Sequence, residues 1–167
     1  MAFRLTSYFE LLAEVTSPLD LSTVSNPLEV RKQMALAQGA GAGQADMMWS
    51  DQRTITASGT DALDLAGALP GPFGGNLTFA RIKAIVLIAA AGNTNNVNLV
   101  MPASNGAPLF LAAGDGIGIR PGGMFFWFDP SATGVAVTAG TGDLLNVINA
   151  GAGTPVTYDI HLVGAST

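Results

Sequence analysis

The residues of this chain that could carry chemistry are few and scattered. His161 is the only histidine, so any Ser–His–Asp relay would have to be built around it. It follows Asp159 by two residues in Val156-Thr157-Tyr158-Asp159-Ile160-His161-Leu162. Alternation there places both on the more polar face of a strand. No nucleophile elbow accompanies them, so His161 reads as a surface or interface side chain. Asp115, Asp129 and Asp143 could in principle pair for glycoside hydrolysis or gather around calcium. Each stands singly beside turn residues, where Asp braces a bend through its own hydrogen bonds, and there is no 12-residue calcium loop. The stretch Gly114-Asp115-Gly116-Ile117-Gly118 contains a Gly-x-Gly, but no helix pattern follows to present amides to a phosphate. Cysteine is absent. The sequence therefore predicts no catalytic residue, no metal site and no cofactor, hence a protein that is not an enzyme.

Cations are scarce enough to be considered singly. Arg120 precedes Pro121-Gly122-Gly123 and reads either as an interface salt-bridge partner or as a solvated strand end. Arg81 and Lys83 share one face of a strand, as an exposed side or a blunted edge. Trp49, with Met47 and Met48, is a candidate anchor into a hydrophobic groove.

The elements that must position these residues are set by an unusual composition. Of 167 residues, 49% are hydrophobic and 11% charged, with a net charge of −5. That much apolar surface excludes global disorder, and so few cations argue against nucleic acid as a partner. The longest apolar run, residues 84–91, is far short of the ~20 residues of a membrane-spanning helix, and no signal-peptide core is visible. Residues 71–167 hold only four acids and three bases. Either copies of the chain or another partner cover much of that surface, or Thr, Ser, Asn and Gly suffice to solvate it.

Two regions are expected. Residues 1–51 read as an extended N-terminal arm with short helical pieces. Residues 8–15 would form a helical turn or two capped by Ser7 with Glu10 three residues on, residues 34–37 would form another, and glycines 39, 41 and 43 would make a flexible connector. Phe3, Tyr8, Leu12, Leu19 and Leu21 are the arm's apolar anchors. Residues 52–167 read as β-structure, with strands at 54–57, 77–89, 97–101, 109–112, 116–120, 124–128, 134–138, 144–149 and 156–163, separated by turn clusters. Such spacing predicts an all-β, jelly-roll-like antiparallel β-sandwich. Residues 124–128, apolar on both faces, place Phe126 and Trp127 among the interface candidates.

Several of these segments resemble small structural proteins of tailed bacteriophages. They are Leu77-Thr78-Phe79-Ala80-Arg81-Ile82-Lys83-Ala84, Asn93-Thr94-Asn95-Asn96-Val97, Arg120-Pro121-Gly122-Gly123, the run from Ala136 to Asp143, and Gly153 to Ile160. The similarity covers most of residues 46–167 and consists of turns and strands. It implies a virion component. Within a virion, low charge, two-faced apolar strands and an arm favour a trimeric capsid decoration (cement) protein bound to the major capsid protein. A head or tail fibre or baseplate module binding a host receptor or glycan, for example through residues 93–96, Asn105 or Trp127, is the alternative.

Overall fold

A computed structural model describes residues 3–167. The described residues form fourteen β-strands in chain order: β1 (Leu5–Pro18), β2 (Thr23–Gln38), β3 (Gln44–Ala45), β4 (Met47–Ile55), β5 (Thr60–Asp64), β6 (Ala66–Pro70), β7 (Asn76–Thr78), β8 (Arg81–Ala89), β9 (Val97–Val100), β10 (Gly116–Ile119), β11 (Met124–Phe128), β12 (Val135–Ala136), β13 (Leu144–Asn149) and β14 (Val156–Ala165). The class is all-β.

Two sheets face each other across the core. One runs β11-β8-β14-β4, with β12 also paired to β8; the other runs β10-β9-β13-β5. Alternation decides which side chains meet between them. Val156, Tyr158, Ile160 and Leu162 of β14 are buried, as their period-two pattern predicts, together with Ile85 and Leu87 of β8. From the opposite sheet come Leu63, Val97, Leu99, Leu145 and Val147, joining the same cluster. Fully burying each such side chain contributes about 1.5–3 kcal/mol.

The arm differs from expectation in kind. Residues 8–15 and 34–37 are strand, not helix: β1 and β2 pair antiparallel from Leu5↔Leu36 to Pro18↔Thr23, closed by a turn in which the Leu19 amide donates to the Ser22 carbonyl at 2.7 Å. Ser7 and Glu10 imitate a helix cap, but the two facing segments of alternating hydrophobicity, 14 residue pairs in register, set the chain as a ribbon with one apolar face. The glycine connector is pinned. The Ala37 amide reaches Gly43, and the Gly43 amide reaches the Pro130 carbonyl at 2.7 Å. Gly39 and Gly43 hold positive φ of 135° and 66°, which glycine adopts without strain.

The expected division at residue 51 falls inside β4, whose Trp49 belongs to the main core. Packing thins instead beyond the root of the hairpin, where Phe9, Leu11, Leu28 and Val30 are exposed. Residues 77–89 split into β7 and β8, because the Phe79 amide turns to the Leu65 carbonyl and the Ala80 amide to the Ala165 carbonyl. Residues 109–112 form no strand. They lie in a long crossing between β9 and β10, with Leu109 and Phe110 laid against the core.

Candidate assembly surfaces

The hairpin has two chemically distinct faces, because directly opposed residues of an antiparallel pair point the same way. One face carries Leu5/Leu36, Ser7/Met34, Phe9/Lys32, Leu11/Val30, Ala13/Leu28, Val15/Asn26 and Ser17/Val24. Lys32 is its only charged side chain. The other carries Tyr8/Gln33, Glu10/Arg31, Leu12/Glu29 and Glu14/Pro27. Here the Arg31 Nε donates to Glu10 at 2.8 Å and lies 3.0 Å from Glu29. At the root the apolar face is covered: Leu36 packs with Ala45, Ala84 and Val163, joined by Phe3, Leu5 and Phe128. Beyond the root Phe9, Leu11, Val15, Val24, Leu28 and Val30 are all exposed. Leu19 and Leu21 stand out at the tip, Leu21 fully exposed.

The outer face of the β11-β8-β14-β4 sheet is the second uncovered surface. Its register makes three rows: Met124–Ile88–Asp159–Gln52, Phe126–Val86–His161–Ser50, and Phe128–Ala84–Val163–Met48. The third row receives the hairpin root. The first two are apolar over β11 and β8, with Met124 exposed and Val86, Ile88 and Phe126 half-buried. The Phe126 and Phe128 rings stack at 6.5 Å. Asp159 is the only acidic side chain of the three rows; it accepts from the Gln52 amide at 2.8 Å, and His161 sits beside it on the same face, as expected.

Other sequence candidates fall elsewhere. Trp49 is not an anchor offered to a partner: it is buried, with the Arg53 guanidinium 5.3 Å above its ring. Trp127 points inward with Phe125 and packs on the core, because β11 alternates and Phe126 takes the outer face. Arg120 is an exposed strand end with no ion pair among the described residues. Lys83 is neither exposed nor on an edge. It is fully buried in the central strand β8, at a bulge where Val163 faces Ala84 and Gly164 faces Ile82. Its Nζ donates to the Ser131 carbonyl and the Arg81 guanidinium to the Ala132 carbonyl. Burial, then the nearby Arg81 charge, lowers the Lys83 pKa.

The aspartates brace turns. Asp115 accepts the Ala112 amide at 2.9 Å, Asp129 the Ser131 amide at 2.7 Å, and Asp143 the Gly140 amide at 2.6 Å. The Asn loops are spent internally too: Asn93 exchanges two 2.8 Å bonds with the backbone of Thr157. No group of three or more His, Asp or Glu able to hold a metal occurs among the described residues.

One polar cluster went unread in the sequence. The Arg53 Nη1 of β4 donates to both oxygens of Asp61 on β5, at 2.8 and 3.0 Å, and its Nε to Asp51 at 3.0 Å. The buried Tyr158 hydroxyl donates to Asp61 at 2.7 Å. Burial and the Asp61 carboxylate both push the Tyr158 phenol well above the usual range. Burial by itself lowers the Arg53 pKa, but Asp61 and Asp51 outweigh it and the net shift is upward. The cluster ties one sheet to the other at the β4–β5 corner. A hairpin-length spacing across Ser58-Gly59 was the available signal.

No family model, curated protein or solved structure matches this chain.

Proposed function

We propose that this chain is a non-enzymatic structural subunit of a tailed-phage virion: a capsid decoration (cement) protein. It forms a homotrimer on the capsid surface, after synthesis in the host cytoplasm, and reaches major capsid subunits with its hairpin. The observation that carries this reading is the ribbon. A two-stranded hairpin is marginal in water by itself, and an apolar stripe of this extent marks an interaction surface. The exposed tip leucines, Leu19 and Leu21, together with Tyr8 and Leu12 on the charged face, are suited to grip a neighbour across a seam. Turn-and-strand resemblance to phage structural proteins supports the virion assignment. So does the sheet order. Counting β4, β5, β8, β9, β10, β11, β13 and β14 as first to eighth, one sheet reads first-eighth-third-sixth and the other second-seventh-fourth-fifth, an interleaving that suits a jelly roll.

Densitometry of purified virions tests the reading. Copies of this chain are expected at the same order as the major capsid subunit, and a handful per particle overturns it. Replacing Leu19 and Leu21 by Asp should release the protein from particles while leaving it folded.

A further inference from the structure

Two apolar surfaces leave the hairpin root in different directions, and within one chain neither covers the other. The first is the hairpin's apolar face, from Phe9/Lys32 outward. The second is the outer sheet face at Val86, Ile88, Met124 and Phe126. At the root itself these same two faces are already in contact, through Leu36 against Ala84 and Val163 with Phe128 beside them. We infer that they meet again between copies: the apolar hairpin face of one chain lies across the outer sheet face of a second copy. This rests on the proposed role as an assembling subunit and names the partner of that hairpin face.

Charge agrees with this pairing. Lys32 is the only charged side chain on the hairpin face and makes no ion pair among the described residues. Asp159 is the only acid in the three sheet rows, and its one hydrogen bond is to a neutral amide. Each face thus offers one unpaired charge of opposite sign, set among apolar side chains. A second copy supplies both surfaces together.

Size sets how each contact can hold. The ten residue pairs from Phe9↔Lys32 to Pro18↔Thr23, at about 3.4 Å each and two strands wide, make a footprint of roughly 35 by 10 Å. One such contact covers on the order of 350 Å² per partner, below the ~800 Å² of a standard interface, so a chain that gives one hairpin and receives another is held by two small contacts acting together. Hairpin-on-sheet contact is head-to-tail, which closes into a ring where the rotation between copies allows it and otherwise runs on as a filament. The charged hairpin face and the Leu19–Leu21 tip stay free, so self-association and particle binding use different residues.

Sedimentation of the full-length protein tests this. The wild type should run at a multiple of 17.0 kDa. Lys32→Asp and Asp159→Lys should each weaken association by about tenfold or more, and the double exchange should restore it; circular dichroism confirms that each variant keeps its β fold. A wild-type monomer at ~100 µM, or an oligomer indifferent to both single changes, overturns the inference. Because the chain lacks cysteine, Lys32→Cys with Asp159→Cys and a short bismaleimide separates the geometries. A covalent ladder between chains is expected, whereas a bridge confined to the monomer overturns the exchange. A monomer that still decorates particles would sink this inference and the trimer with it, leaving the decoration role standing. An oligomer of the described kind that binds no particle would sink the proposed function alone.

Discussion

Strands β2 and β14 carry the same kind of sequence. β14 alternates Val156, Tyr158, Ile160 and Leu162 with polar residues; β2 alternates Val24, Leu28, Val30, Met34 and Leu36 in the same way. Yet the four β14 residues are at most 1% exposed, while Val24, Leu28 and Val30 are 53, 52 and 41% exposed. What separates them is the neighbourhood. β14 has a strand on each side and a second sheet across the core, whereas β2 beyond its root has only β1. Alternation fixes which face is apolar, but only a further layer removes that face from water. The uncovered face of the hairpin is therefore apolar surface that no second layer among the described residues removes from water, and it is the surface the proposed assembly would cover.

The sharpest way to break this comparison is to truncate one leucine in each region. Leu162→Ala opens a cavity between fixed sheets and should cost about 2–5 kcal/mol, read as a large fall in the denaturant midpoint. Leu11→Ala removes a side chain that is already 44% exposed and should cost less than ~0.5 kcal/mol in the unassociated chain. Equal losses would mean that the hairpin is part of the core.

The same contrast explains what could be read before the structure. The sandwich was legible because β14 keeps its alternation and β11 and β13 are short apolar segments between clear turns. In the hairpin the alternation is just as regular, with Phe9, Leu11, Ala13 and Val15 facing Lys32, Val30, Leu28 and Asn26. There Ser7 and Glu10 offered a local helical alternative, and nothing within residues 8–15 reveals the opposing strand 11–25 residues away. Lys83 was misplaced for a related reason: charge suggests exposure, but a bulge and the carbonyl of a distant loop at Ser131 let a lysine end inside. Trp127 was misplaced beside Phe126 on a one-residue parity, because β11 is apolar on both faces and only the side the core occupies separates the two. The Arg53–Asp61–Tyr158 cluster joins residues up to 105 positions apart (53 to 158), which no local pattern reports.

A smaller effect probes the body's polar corner. Tyr158→Phe removes one donor from Asp61 but leaves both Arg53 contacts, so at neutral pH it should cost about 1 kcal/mol. Its signature lies in pH. Burial and Asp61 hold the folded phenol protonated, whereas the unfolded chain ionises at ~10. The unfolded state therefore loses a proton that the folded state keeps, and stability falls as pH rises beyond ~10. Lys83 works the other way. Its folded pKa is lowered, so the unfolded chain binds the extra proton and stability rises with pH up to the ordinary lysine range. Tyr158→Phe should thus abolish the alkaline decline in urea midpoint and leave the Lys83 rise uncovered. A variant that declines as the wild type does would detach Tyr158 from that behaviour.

The smallest expected effect completes the contrast, because it concerns a polar contact of the hairpin rather than of the body. Arg31 bridges Glu10 and Glu29 with side chains 50–64% exposed, where water competes for each charge and the long side chains lose entropy when held. Arg53 makes similar distances to Asp61 at 21–28% exposure, and the Tyr158 hydroxyl donates to the same carboxylate. Arg31→Ala should therefore leave the melting temperature unchanged within error, and Arg53→Ala should lower it clearly. If Arg31→Ala is the more damaging in the dispersed chain, the charged face of the ribbon is what holds it straight. If Arg31→Ala matters only on particles, that face is part of the contact.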